Sequence, residues 1–346
     1  MYISLSALGK RDSTAMKLLF CYEYFFPPFD EGMKKTTHMI FDELEADHEM
    51  CLVRNLTFLP HQLNSLLITP RLILRGLWLR PERIIYVPES ALTFSALIKS
   101  WLLSLFFGSR LAIFGLQKRS FKPWQRAIIS RLPLRNVFVL SSAMAEDLEK
   151  LGIHATVLPI GIDRETYVPS DNKHALKSKY GLPQDKPVLL HVGHIKTSRN
   201  AHWLAEVQQA LPTIQVVLIG STATDKEERL CTQLEDSGVR VIREYLADIH
   251  ELYQLSDWYC FPVTEDFGAM ETPLSVLEAM ATNLPIITTR FGVVPELFDE
   301  DEYFRFVSGP EDIIAIIRQG FESQCMNRRK TEPYTWNHTA QRLLER

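Results

Sequence analysis

The sequence predicts an α/β protein in which two domains each contain a doubly wound parallel sheet. Its 346 residues are more than one hydrophobic core usually holds and suit two. Apolar segments of strand length alternate with helical segments, which is typical of parallel sheets covered by helices. In the second half of the chain, the predicted strands begin at Pro187, Ile214, Val239, Asp257, Ile286 and Tyr303.

The first half begins with an apolar strand over residues 17–22. The proline-rich turn FFPPFDEG follows it and ends at Gly32, and a predicted helix then continues through Glu43. A strand, a glycine-containing turn and a helix form a unit that can bring backbone N–H groups close to a phosphate. A plain strand-to-helix connection is the alternative interpretation. Buried strands are also predicted at residues 83–87 and 110–114.

The composition argues against several classes of protein. The five cysteines lie far apart without a CxxC pair, which indicates buried thiols in a reducing compartment and argues against a disulfide framework or a zinc site. No apolar run reaches the roughly 18–20 residues that span a bilayer. The first fifteen residues lack a basic segment before their short apolar part, so we do not predict a signal peptide.

The charge is distributed unevenly along the chain. Residues 61–136 contain twelve basic and two acidic residues, a net charge of +10, which leaves −14 for the rest. Two basic segments, LLITPRLILRGLWLR and KRSFKPWQRAIISRLPLR, also carry Trp78 and Trp124 among apolar residues. Such pieces suit an anionic membrane surface, and they are too apolar for a groove that binds only nucleic-acid phosphates. Solvated helix faces are the alternative.

The most informative segment is FPVTEDFGAMETPLSVLEAMATNLP, residues 261–285. It reads as the end of a strand, an acidic loop with Gly268, and a helix for which Thr272 is the predicted N-cap and Pro273 the first residue. Glu278 is the single acid of this helix. A helix start that follows a strand favours an anion such as a diphosphate. A solvated glutamate on a surface helix is the alternative.

The segment PLSVLEAMATNLPIITT resembles the nucleotide-sugar-binding segment of glycosyltransferase family 4, the retaining enzymes of the GT-B fold. VLPIGIDRETYVP resembles the interdomain segment of that family, VGHIKTSRN its diphosphate loop, and YTWNHTAQRLLER its last helix. The resemblance implies two Rossmann-like, doubly wound domains that face each other across a cleft. The expected layout is an extension without regular structure at 1–15, a first domain at 16–157, a linker at 158–185, a nucleotide-sugar-binding domain at 186–324, and a C-terminal helix at 325–346 that packs back on the first domain.

The resemblance also implies a donor site on the second domain. Glu278 matches the glutamate that binds the ribose hydroxyls, and Arg199 would grip the diphosphate. His194 occupies the place of the other basic residue of the loop, and Lys196 could substitute for it. The remaining donor-binding residues that we predict are Gly32, Gly193, Tyr245 on the base side, Gly268, Thr272, Leu274 and Ser275.

Two departures from the family concern the reaction centre. The family has two glutamates separated by seven residues, and the first of them falls on Met270. We predict that Glu271 takes over its contact with the sugar hydroxyls after a one-residue adjustment of the loop, with Asp266 and Glu265 as alternatives. The family histidine after the strand ending near Phe114 is absent, so no acceptor-side catalytic residue is assigned.

The predicted activity is sugar transfer with retention from a nucleotide diphosphate sugar to a glycan acceptor that is lipid-linked or membrane-associated. Catalysis is assigned to Glu271, Arg199 and Lys196, with no metal and no further cofactor. The expected location is the cytoplasm, peripheral on the inner membrane face, with no nucleic-acid partner. The alternative hypothesis is a GT-B module without catalytic activity that binds a nucleotide or acts as a scaffold.

Overall fold

The structure, a computed structural model, describes residues 15–29, 31–88, 91–220, 227–321 and 324–345. Strands form where short apolar segments are buried, as the sequence pattern indicates. Their bounds are β1 Lys17–Tyr22, β2 Glu49–Val53, β3 Arg83–Val87, β4 Leu111–Gly115, β5 Val137–Val139, β6 Ala155–Val157, β7 Val188–Gly193, β8 Gln215–Gly220, β9 Arg240–Ile242, β10 Trp258–Phe261, β11 Ile286–Thr288 and β12 Phe304–Phe306.

The strands form two six-stranded sheets. The first has the order β2-β1-β3-β4-β5-β6 and the second the order β12-β11-β10-β7-β8-β9. All strand pairs within both sheets are parallel. We call the part built on each sheet the first and the second domain. The predicted fold class, two doubly wound parallel sheets, is confirmed.

Helices cover both sheets. They are α1 Gly32–Asp47, α2 His61–Leu79, α3 Phe94–Phe107, α4 Pro123–Ile129, α5 Ser142–Glu149, α6 Lys173–Lys179, α7 Trp203–Ala210, α8 Glu228–Asp236, α9 His250–Leu255, α10 Leu274–Ala281, α11 Val294–Leu297, α12 Pro310–Gln319, α13 Asn327–Lys330 and α14 Trp336–Leu344. Within the described ranges, none of them combines the length and the apolar character needed to cross a bilayer.

The start of α10 differs from the prediction. Pro273 keeps an extended backbone, with φ −69° and ψ 106°, so the helix begins one residue later, at Leu274. Thr272 is buried in the preceding loop, and its hydroxyl has no hydrogen-bond partner among the described residues. The prediction of Thr272 as the N-cap is therefore wrong. Where a capping side chain is present, as at Ser141 before α5, its hydroxyl accepts a bond from the backbone N–H of Met144.

The chain crosses back to the first domain at its C-terminal end. Helix α14 packs against α1. The guanidinium of Arg83, buried at the start of β3, donates to the carbonyl of Leu343 at 2.9 Å, to that of Ser109 at 2.6 Å, and to that of Glu345. Residues between the two sheets include α6, which packs against α9 of the second domain. The bounds assigned to the linker remain a prediction.

Candidate functional site

A cavity of about 350 Å³ lies between the two domains. Parallel sheets bind ligands beyond the carboxyl ends of their strands. The end of β8 and the segments that follow β1, β7 and β10 all reach this cavity. The first domain contributes the start of α1, and the second contributes the start of α10 and the loop after β9. Residues of the connecting segment, among them Asp163 and Tyr167, also line it.

Glu278 lies in the wall of the cavity and is almost completely buried. Its Oε1 accepts a hydrogen bond from Lys35 Nζ at 2.5 Å, and its Oε2 accepts one from the hydroxyl of Tyr253 at 2.7 Å. Lys35 belongs to α1 of the first domain and also donates to the hydroxyl oxygen of Tyr167 at 2.6 Å. The carboxylate is therefore held from both sides of the cleft.

The two tyrosines beside Glu278 stay protonated at neutral pH. Burial, reinforced by the charge of Glu278, raises the pKa of Tyr167 and of Tyr253 well above the ordinary value. Tyr253 can therefore act as a hydrogen-bond donor to the carboxylate throughout the physiological range. The Nζ of Lys35 lies 4.7 Å from the centre of the Tyr167 ring, which adds a cation–π contact to the hydrogen bond.

A second polar group of the cavity is centred on Arg199, at the end of a 3₁₀ turn after β7. Burial lowers the pKa of Arg199 to about 10, so the guanidinium is still a cation at neutral pH. A Cβ added at Gly193 would lie 3.6 Å from Arg199 Nη1, so the backbone of the loop runs close to the charge. Across the cavity, Glu31 Oε1 lies 4.0 Å from His194 Nε2.

His191 lies beneath this loop and is fully buried. Its Nδ1 lies 2.9 Å from the carbonyl oxygen of Cys260, and burial lowers the pKa of His191 to about 4. The ring is therefore neutral at physiological pH, with Nδ1–H donating to that carbonyl. A Cβ on Gly193 would lie 3.0 Å from Nε2 of His191, so a side chain there would make a tight contact with the His191 ring.

Most of the residues predicted for the donor site are brought together by the fold. Those that line the cavity are Gly32, Gly193, His194, Arg199, Tyr245, Leu274, Ser275 and Glu278. Lys196, Gly268, Glu271 and Thr272 are described by the structure but lie outside the lining. Met270 lines the cavity in the place of the first family glutamate. The roles assigned to all of these residues remain predictions.

Glu271 faces the first domain. It is buried, and its Oε2 accepts a hydrogen bond from the hydroxyl of Ser141 at 3.1 Å. Burial raises the pKa of Glu271, and the nearby charges of Asp266 and Glu296 add to this effect, whereas Ser141 and Lys118 oppose it. The alternative acids, Glu265 and Asp266, are exposed and also lie outside the lining of the cavity.

The whole loop that contains Glu271 is fastened to the first domain. Gln117 Nε2 donates to the carbonyls of Phe267 at 2.9 Å and Ala269 at 3.0 Å, and the Glu271 N–H lies 3.3 Å from the carbonyl of Leu116. Gly292 lies behind the loop at φ +52°, where a Cβ would be 2.2 Å from the carbonyl oxygen of Glu271. The backbone around Glu271 is thus enclosed on both sides.

Sequence reasoning missed Lys35, Tyr167 and Tyr253. Lys35 follows the glycine turn by three residues, in the first turn of α1, and this proximity to a predicted phosphate-approach turn was the available signal. Tyr167 lies within VLPIGIDRETYVP, which resembles the interdomain segment of the family and to which we assigned no site residue. No group of three or more His, Cys, Asp or Glu side chains suited to a metal occurs in the described part of the chain.

Comparison with known structures identifies the fold. Sucrose-phosphate synthase from Thermosynechococcus elongatus aligns with a TM-score of 0.76 and 14% identity, over 94% of this chain and 96% of that one. HepE from Anabaena, solved with UDP and glucose, aligns with a TM-score of 0.68 and 15% identity, over 94% of this chain and 97% of that one. This chain has their fold, GT-B.

The family follows from the sequence of the second domain. Residues 186–321 match the family described as Glycosyl transferases group 1. Sulfoquinovosyl transferase SQD2 of Arabidopsis thaliana is 26% identical over 185 residues, which are 51% of this chain and 35% of that protein. Over residues 186–321 the chain thus matches the group 1 glycosyltransferases, in agreement with the family 4 resemblance. It spans less than half the length of the curated relatives it matches, between 31% and 46%.

We predict that Glu271→Gln changes the pH dependence of stability. Because the pKa of Glu271 is raised on folding, the folded protein binds more protons than the unfolded chain above the ordinary value of 4.5. The parent therefore loses stability as the pH rises through the folded pKa, and the amide, which does not titrate, avoids this loss. Thermal unfolding should therefore show that the stability of Glu271→Gln relative to the parent is greater at pH 8 than at pH 4. A constant difference would contradict the assignment.

Proposed function

We propose that this protein transfers a sugar, with retention of configuration, from a nucleotide diphosphate sugar to an acceptor. One observation carries the proposal: a buried carboxylate, Glu278, and a half-buried cation, Arg199, line the same cavity beyond the carboxyl ends of the second sheet. The ribose hydroxyls of a nucleotide can donate hydrogen bonds to Glu278, and the negatively charged diphosphate can pair with the guanidinium of Arg199. Membership of group 1 and the UDP bound in HepE support the same donor class.

The leaving diphosphate would be stabilised by charge and by backbone groups. Arg199 supplies the cation, with Lys196 behind it at the edge of the loop. Leu274 and Ser275 line the cavity at the start of α10, where free N–H groups favour an anion. Because the cleft is enclosed, these interactions are stronger than they would be in water. Tyr245 would contact the base.

The role of Glu271 at the sugar requires a movement. Its carboxylate would have to leave Ser141 and turn toward the cavity, which Met270 now lines. The alternative function is a nucleotide-binding module without catalytic activity. The hydrogen bond of Glu271 to Ser141 and the presence of Met270 in the lining favour it. A transferase must both bind the nucleotide sugar and turn it over, whereas a binding module needs only to bind, so the two measurements separate the proposals.

Binding of a nucleotide diphosphate is the first test. We expect UDP or GDP to raise the thermal unfolding temperature, since a ligand at about 100 times its Kd stabilises by about 2.7 kcal/mol. Glu278→Gln should weaken binding about tenfold or more, because the hydrogen bonds to a charged acceptor are lost. Glu206→Gln, on the exposed face of α7, is the matched control. Equal affinity in both variants would rule out Glu278 as the ribose contact.

Turnover of the nucleotide sugar that binds is the second test. If Glu271 reaches the sugar, Glu271→Gln should lower kcat about tenfold or more while the Kd for the nucleotide stays nearly unchanged. Asp266→Asn, which alters an exposed acid of the same loop, should leave the rate as in the parent. A normal rate for Glu271→Gln together with a loss for Asp266→Asn would transfer the role to Asp266.

We also propose that the first domain binds an anionic membrane surface, where a lipid-linked acceptor would lie. Helices α2, α3 and α4 are neighbours, and the outward side chains of α2 include Leu66, Leu74 and Trp78, which are 72%, 69% and 72% exposed. The guanidinium of Arg75 lies 5.3 Å from the Trp78 ring. Apolar side chains beside basic ones suit the boundary between headgroups and acyl chains. The further exposed apolar residues of these three helices are Leu63, Leu67, Leu77, Leu102, Leu105, Phe106, Trp124 and Ile128.

Sedimentation with vesicles tests this surface. The protein should bind vesicles that contain phosphatidylglycerol and not those of phosphatidylcholine alone, and binding should weaken with salt. Replacing Arg75, Lys122 and Arg126 with serine should release it, since each basic residue contributes about 1 kcal/mol near an anionic surface. The control replaces three exposed arginines elsewhere, Arg229, Arg240 and Arg329. Equal sedimentation of both triple variants would exclude the membrane face.

A further inference from the structure

An ion pair between the two domains lies in the wall of the cavity. Lys35 Nζ is 2.5 Å from Glu278 Oε1, and the side chains are 26% and 6% exposed. Lys35 comes from α1 of the first domain, whereas Glu278 comes from α10 of the second. Charges that are this far removed from water are costly unless they are paired, so each side chain restricts the position of the other.

The contacts of Glu278 leave part of its carboxylate available. Lys35 occupies one oxygen and Tyr253 the other, at 2.5 Å and 2.7 Å. A carboxylate has about four lone-pair positions, so at least one remains for a ligand even when Tyr167 also interacts with Glu278. Because Lys35 is itself hydrogen-bonded to the hydroxyl of Tyr167 at 2.6 Å, the orientation of the carboxylate is restricted before a ligand arrives.

We propose that Lys35 is a positioning residue for the nucleotide ribose. It holds the Glu278 carboxylate so that a remaining lone pair accepts a hydrogen bond from the 2′ hydroxyl. This inference rests on the proposed function, in which Glu278 binds the ribose. It adds that a side chain of the first domain determines ribose recognition by the second, and that the site is complete only when the two domains are in this arrangement.

A purely structural role for Lys35 makes a different prediction. If the ion pair only held the domains together, its loss would weaken every nucleotide by a similar factor through cleft opening. A positioning role instead concerns the hydrogen bond that Glu278 accepts from the 2′ hydroxyl. Its loss should therefore weaken a ribonucleotide and leave its deoxy analogue nearly unaffected. The ratio of the two affinities separates these roles.

Calorimetric titration with UDP and 2′-deoxy-UDP, and with GDP and 2′-deoxy-GDP, measures this ratio. The pair that binds the parent more tightly is used. In the parent we expect the ribonucleotide to bind about tenfold tighter, the usual effect of one hydrogen bond to a charged group. In Lys35→Met the ribonucleotide should lose about tenfold, while the deoxy form changes by less than about threefold. Lys35→Arg, which keeps the charge, should restore part of the ratio.

Lys150→Met, which replaces an exposed lysine on the first domain, is the control and should keep the parent ratio. Thermal unfolding of each variant verifies that it is folded. The proposal is overturned if Lys35→Met keeps the parent ratio, or if both nucleotides weaken equally. If the parent binds no nucleotide, the proposed function fails as well. Parent binding with an unchanged ratio in Lys35→Met leaves the proposed function intact and removes only the role of Lys35.

Discussion

The pairing of Glu278 with Lys35 is the interaction on which the arrangement of the cleft depends. It places opposite charges of two separately built sheets 2.5 Å apart in a poorly solvated place. Burial of either charge without its partner would be unfavourable. The arrangement in which the two domains bring Lys35 and Glu278 together is therefore favoured over one that separates them. The loop after β10 is also held by contacts between the domains, here between neutral groups, because Gln117 of the first domain donates hydrogen bonds to two of its backbone carbonyls. The cavity is therefore a property of both domains together.

Much of the fold could be predicted because its signals are local. A buried parallel strand appears in the sequence as a short apolar run, which can be recognised without knowing the tertiary structure. The strand starts that we predicted at Pro187 and Ile214 are therefore only one residue early. The start of α10 was wrong by one residue. The side-chain chemistry of Thr272 suits a cap, but burial of the loop and the extended backbone of Pro273 decide the geometry, and neither can be seen in the sequence.

The site could be predicted only in part. Glu278 and Arg199 lie in segments whose pattern indicates a ligand site, and both line the cavity. Lys35 meets Glu278 across 243 positions of the chain, a contact that no spacing rule reveals. Glu271 shows the opposite case: its residue type suits the predicted role, but the direction of its side chain depends on Ser141 of the other domain. Which of two adjacent residues, 270 or 271, faces the cavity is decided by tertiary contacts.

Gly292 lies on the side of the Glu271 loop that faces away from the cavity, and its backbone approaches that loop closely. It adopts φ +52°, and a Cβ there would come within 2.2 Å of the Glu271 carbonyl oxygen, which also lies next to the N–H of Val293 at 2.9 Å. The segment after β11 therefore packs directly against the backbone of the loop that contains Glu271. Since Gly292 lies outside the lining of the described cavity, a methyl group at this position would displace the loop that contains Glu271 without itself entering the cavity.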